Sequence, residues 1–197
     1  MSPAAAAQAG VLEYVITDVS EQELAKASDG YTKVVADVTR GSVQELGAFE
    51  LIVSQTVAEH VRDPAAFHQT TYDMLVSGGR AMHFFPTLYE PAFVVNRLLP
   101  EFAADAILQR IQGWRASGGM NEKFPALYRW CRGPTRRQLA RFTAIGFEIE
   151  EYVGIFGHDY YRSVPLIDRL ETVLADALVR HPLPSLTSYS SVTLRRP

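Results

Sequence analysis

Short branched runs and helical faces alternate along this chain. Leu12–Val19 (LEYVITDV) reads as a strand, and Ser20 with Glu23 forms a capping box that opens a helix reaching about Ser28. After a turn at Asp29-Gly30, Lys33–Ala36 (KVVA) reads as a second strand. Gly41–Leu46 reads as a short helix or loop. Phe49–Val53 is an apolar run of the kind a buried strand presents, followed by a polar break at Ser54-Gln55 and a one-turn segment over Val57–Val61. Asp63-Pro64 marks a helix start, with an acid at the N-cap and proline at the first helical position. Phe67, Thr71, Met74 and Leu75 share a face of that helix, Gly78-Gly79 is expected to end it, and Arg80–Phe85 reads as a strand. A strand, a helix and a strand in this order make a crossover between parallel strands.

The pattern loosens after Pro86. Phe102–Trp114 reads as a helix and Ser117-Gly118-Gly119 as a loop. It sharpens again at Thr135 and Gln138, a second capping box, followed by an apolar face of Leu139, Phe142 and Ile145 and a stop at Gly146. Phe147–Val153 reads as a strand. Ser163 with Pro165 opens a long amphipathic helix, Leu166–Arg180, whose face is Leu166, Leu170, Val173, Leu174, Ala177 and Leu178. Tyr189–Arg195 reads as the last strand. At the other end Ala4–Ala9 is the tail of a helix or a frayed terminus.

Composition narrows the classes. A chain of 197 residues is one domain on length, and its hydrophobic content supports a core. A formal net charge of −3 argues against a general nucleic-acid binder, which needs a basic face to release counterions. The single cysteine, Cys131, allows no internal disulfide, which fits a reducing, cytoplasmic setting. No apolar run approaches a membrane span, and neither a signal peptide nor an internal repeat is visible. Scattered histidines without paired cysteines give no zinc site, so no metal is expected. Asp18, at the end of a strand and just before a helix, can accept hydrogen bonds from both ribose hydroxyls of a nucleotide. The same carboxylate can equally well start the next helix.

The stretches FELIVSQTVAEHVRDP and LVSGGRAMHFFP resemble the second half of a class I S-adenosylmethionine-dependent methyltransferase, of the group acting on small molecules and lipids. Glu50, Leu51 to Val53, Glu59-His60-Val61, Asp63-Pro64 and Gly78-Gly79 fill the places of that family's pattern. The resemblance implies an α/β fold, a Rossmann-like sheet with helices on both faces and an antiparallel last strand inserted beside the fifth. It implies S-adenosylmethionine as cofactor and a small-molecule methyl acceptor as partner. It places Asp18 at the ribose, Asp37 and Val38 at the adenine, and Ser54 and Gln55 beneath the methionine part. His60 and His83, near strand ends at the cofactor edge, are candidate general bases; each also reads as a histidine hydrogen-bonded in the core or at a turn. One domain, 1–197, is expected, with a remaining cofactor-binding part (1–86), an insertion (87–133) and a C-terminal part (134–197). The insertion could form a hydrophobic substrate lid from Leu88, Tyr89, Phe93, Phe124, Tyr128 and Trp130, or those aromatics could fill its own small core.

The family's glycine-rich cofactor loop has no counterpart before Asp18, so the first strand, that loop and most of the first helix are expected to be missing. Three accounts stay open: an N-terminally truncated enzyme, a degenerate homologue that binds a partner, or a gap closed by a neighbouring chain. The alternative to a methyltransferase is therefore a non-catalytic methyltransferase-like interaction protein, with self-association through exposed strand edges.

Overall fold

The computed structural model describes residues 3–8, 10–40, 47–88, 125–158 and 165–197, with only the backbone at 166 and 167. Tyr89, Phe93 and Phe124 of the expected lid, the Phe102–Trp114 helix, the Gly41–Leu46 segment and the Ser163 cap lie outside the described residues. In chain order the elements are α1 (Pro3–Gln8), β1 (Val15–Asp18), α2 (Glu21–Lys26), β2 (Thr32–Val35), β3 (Phe49–Gln55) and a 3₁₀ turn at Ala58–His60. Then follow α3 (Pro64–Met74), β4 (Leu75–Pro86), α4 (Arg136–Ile145), β5 (Glu148–Ile155), α5 (Pro165–Arg180), a 3₁₀ turn at Pro184–Leu186 and β6 (Tyr189–Arg195).

The caps legible in the sequence form as chemistry requires. Ser20 Oγ accepts from the Glu23 amide at 3.3 Å, and Asp63 Oδ1 accepts from the Ala66 amide at 3.0 Å. Thr135 Oγ1 accepts from the Gln138 amide at 3.3 Å, and Gly146 closes α4 at φ +115°, a left-handed position suited to glycine.

The end of α3 departs from expectation. The helix stops at Met74, and Gly78-Gly79 lie inside β4 rather than at a helix end. The reason is tertiary. The Arg196 guanidinium, from the far end of the chain, donates to the carbonyls of Tyr72, Asp73 and Leu75 at 3.2, 3.2 and 2.5 Å, and so caps the last turn. The two glycines instead make an irregularity in β4. Phe49 pairs with Leu75 but Leu51 pairs with Arg80, so extra residues of β4 are looped out, with Gly78 at φ +80°.

Two sheets result. β1 and β2 pair in parallel, Asp18 opposite Val35. The other sheet has the order β3-β4-β6-β5, with β3 and β4 parallel and β6 antiparallel to both its neighbours. The antiparallel last strand inserted beside β4 is the expected topology. Among the described residues neither β1 nor β3 has a strand on its other side.

One face of the four-stranded sheet carries the core. Ala81 and Phe85 of β4 and Val192 and Leu194 of β6 meet Phe67 of α3 and Phe142 of α4, and all six are buried. The opposite face carries Leu51, Val53, Met82, Val153 and Ile155, all exposed. The Phe49–Val53 run is therefore not the fully buried strand its composition suggests: Leu51 is 52% and Val53 63% exposed. A period of two puts only Ile52 and Ser54 toward the helices. On α5, Leu170, Val173 and Leu174 of the apolar face are also exposed, while Ala175 turns toward Gly157.

Candidate functional site

Parallel strands place their C-terminal ends at one edge, and in open α/β sheets ligands bind there. Asp18 ends β1, Asp37 and Val38 follow β2, and Ser54 and Gln55 end β3. Two antiparallel steps make β5 parallel to β4, so α4, which runs back toward the start of β5, begins at the same edge as the ends of β3 and β4.

Asp18 is half-buried. Its Oδ1 accepts from the Ser20 amide at 2.8 Å, which sets the turn into α2, and its Oδ2 has no partner among the described residues. Asp37 is more occupied. Its Oδ1 accepts from the Thr39 amide (2.9 Å) and hydroxyl (2.6 Å), and its Oδ2 lies 3.2 Å from Arg40 Nε. The Thr39 bonds hold its carboxyl below the usual range, so it stays ionised as a turn-forming group. Val38 packs against the core of the larger sheet, which ties the β1–β2 unit to it.

At the end of β3 the backbone is strained. Thr56 has φ +53°, unusual for a β-branched residue, and Tyr128 and Trp130 take φ +51° and +61°. These outliers sit in segments that meet: the Leu127 and Tyr128 amides both donate to the Glu59 carbonyl at 2.7 and 3.0 Å, and the Leu88 amide donates to the Cys131 carbonyl at 3.1 Å. Residues 125–133 thereby pack onto the sheet edge beside the Ala58–His60 turn.

Ser54 and Gln55 part company. Gln55 points to the exposed face, whereas Ser54 Oγ lies 2.7 Å from His83 Nδ1 on the core face. His83 is 1% exposed and His68 of α3 is 3% exposed, with their rings 5.1 Å apart and edge to face. Burial pushes His83 down to about 4, and it lowers His68 strongly, with His83 adding to the effect. Both are thus neutral core groups. His60 is different: it is 37% exposed, its Nδ1 lies 3.3 Å from the Pro125 carbonyl, and its Nε2 lies 3.8 Å from Glu59 Oε1.

Glu59 was not singled out among the candidate site residues from the sequence, although it stands in the Glu-His-Val stretch. It is 4% exposed, and its Oε2 has no hydrogen-bond partner. Burial raises its pKa, and its charge in turn helps raise that of the buried Cys131 thiol. The sequence offers only its place in the Glu-His-Val stretch, because burial depends on what packs over the turn. Among the described residues no cluster of three metal-ligating side chains occurs, and no helix is long and apolar enough to cross a membrane.

Residues 1–83 match the family described as a methyltransferase domain. No curated protein sequence matches the chain. Among solved structures, an S-adenosylmethionine-dependent methyltransferase from Mesorhizobium loti superposes with a TM-score of 0.54 at 18% identity, covering 98% of this chain and 84% of that one. A Listeria monocytogenes protein assigned to the same enzymes gives 0.54 at 10% identity, with 98% and 84% covered. The cyclase SpnF also gives 0.54, at 14% identity, with 95% and 68% covered. These likenesses establish the fold, a Rossmann-like α/β sheet. A cyclase on the same fold shows that the reaction must be argued from the site.

Proposed function

We propose that this chain, a class I methyltransferase-like domain, transfers a methyl group from S-adenosylmethionine to a small, partly hydrophobic molecule. The observation that carries the reading is Asp18: a half-buried carboxylate at the end of a parallel strand, inside the stretch that matches the methyltransferase domain, with one oxygen turned to its own helix and the other without a partner among the described residues. An oxygen so placed fits a pair of ribose hydroxyls. Val38, three residues past the end of β2, and Gln55, the last residue of β3, would border the adenine and the methionine part. The cofactor supplies an electrophilic sulfonium methyl, so the protein's task is chiefly to align an acceptor against it.

His60 is the base this geometry favours over His83, because His60 reaches the surface and His83 does not. A carbonyl can only accept, so the Pro125 contact places the ring proton on Nδ1, which donates it to that carbonyl, and leaves Nε2 unprotonated in the neutral ring. Glu59 Oε1 lies 3.8 Å from that nitrogen.

Calorimetric titration of S-adenosylmethionine and its demethylated product into the chain tests the reading, with Asp18→Ala alongside. Micromolar binding that the variant weakens at least about tenfold is expected, as loss of a charge-assisted pair implies. A folded chain that binds neither compound refutes it. A second reading, a non-catalytic interaction protein, draws on the exposed apolar sheet face of Leu51, Val53, Met82, Val153 and Ile155. It requires association detectable by analytical ultracentrifugation, which Val53→Glu abolishes.

A further inference from the structure

Two apolar faces of this chain stand open at once. On the four-stranded sheet, Leu51 and Val53 of β3, Met82 of β4, and Val153 and Ile155 of β5 lie on the side away from α3 and α4, all exposed. Phe84 and Tyr189 stack on the same side with ring centroids 5.4 Å apart, which makes a flat floor. Parallel strand pairs such as β3 and β4 are ordinarily buried on both faces.

The second face belongs to α5. Its sequence puts Leu170, Val173, Leu174 and Ala177 on one stripe, and that stripe faces out: Leu170 is 64% and Val173 61% exposed. The helix meets its own fold with the other side. A methyl group on Gly157 would stand 3.3 Å from Ala175, and Asp168, Glu171 and Leu178, which share that side, are half-buried. An amphipathic helix that turns acids inward and its apolar stripe outward is arranged for a surface beyond its own chain.

The two faces match in length and in charge. The 16 residues of α5 span roughly 24 Å. The 7 residues of β3 and 8 of β5 span roughly 23–26 Å. Glu151 stands beside Val153 on the sheet face, and Arg169 and Arg180 flank the stripe of α5, with Asp176 beyond them on the same flank. Among the described residues none of Glu151, Arg169 and Arg180 forms an ion pair. At the other end of the sheet face Arg80 and Arg195 are already paired with Glu150 and Glu148.

We propose that two copies of this chain pair across a two-fold axis, with α5 of each lying on the bare sheet face of the other. Each copy carries one stripe and one face, so such a pairing covers both and closes. A foreign helix would cover the sheet and leave α5 bare. The apolar side chains of the two faces, each about half exposed, offer on the order of 600 Å² per copy, close to the roughly 800 Å² per partner of a standard interface. The arginine and glutamate rim adds to that area. The proposal rests on the sheet face from which the interaction reading starts and names its occupant; it holds whether or not the chain transfers methyl groups.

The test is sedimentation velocity of the whole chain from about 1 to about 100 μM. A species of twice 21.9 kDa is expected. Leu170→Asp and Val53→Asp should each raise the dissociation constant at least about a hundredfold. Both residues are exposed, so the variants keep their fold, and circular dichroism checks this. Charge reversal then locates the occupant. Glu151→Arg alone, or Arg169→Glu with Arg180→Glu, sets like charges against each other at both contacts and should weaken pairing about tenfold. Mixing these two variants brings opposite charges together at both contacts and should restore the dimer. A monomer throughout the range overturns the proposal. Pairing that survives Leu170→Asp runs through the sheet face alone; it overturns α5 as the occupant and leaves the interaction reading in place. Mixed variants that pair no better than either alone overturn it as well. None of these outcomes involves S-adenosylmethionine, so the methyl-transfer reading stands or falls separately, on Asp18→Ala.

Discussion

Acidification should destabilise this protein through its two buried histidines, and His83 allows the size to be worked out. Its ordinary pKa of 6.5 falls to about 4 in the fold because burial disfavours the imidazolium. A group depressed in this way contributes stability above its unfolded value. That stability is lost as pH falls from 6.5 toward 4, since the unfolded chain binds the proton first. Between pH 7 and pH 5 the loss from His83 alone is about 2 kcal/mol by linkage. His68, lowered by burial and by His83, changes in the same sense. Glu59, raised by burial, acts oppositely: its contribution is present below its ordinary 4.5 and is lost as pH rises through its folded value. A difference between chains therefore isolates the histidine. Urea unfolding followed by tryptophan fluorescence at both pH values, in the native chain and in His83→Leu, is the assay. The variant should start lower at pH 7 by about 1–3 kcal/mol, because Ser54 Oγ loses its partner, yet lose about 2 kcal/mol less on acidification. An unchanged pH dependence in His83→Leu would show that this ring is not buried and neutral.

The other expectations concern packing and the site. Phe142→Ala removes a fully buried ring that lies edge to face with His68, 4.9 Å between centroids, and should cost about 3–5 kcal/mol in chemical unfolding. Gly133→Ala would drive a methyl group into the Pro184 carbonyl, so the soluble yield and cooperative melting should both fall sharply, whereas Gly47→Ala meets no atom and is strained only by its positive φ. Glu59→Gln removes a buried carboxyl whose ionised form is disfavoured. It should leave stability at pH 8 unchanged or higher, read by urea unfolding beside the native chain.

Much of this molecule follows from local rules. Ser20, Asp63 and Thr135 form their caps because a side-chain oxygen needs only the next turn of backbone, and Gly146 ends α4 because no side chain opposes a left-handed residue. The same locality places Asp18 and Ser54 at strand ends, where they stand. What depends on distant partners was not legible. Arg196 ends α3 before the glycines do, from more than a hundred residues away. Leu51 and Val53 look buried by composition but are exposed, because burial depends on what packs over a face, and the sequence of a strand does not state that. His83 and His60 read alike as histidines near strand ends, yet one lies in the core and the other at the surface, because the period-two alternation turns His83 toward α3.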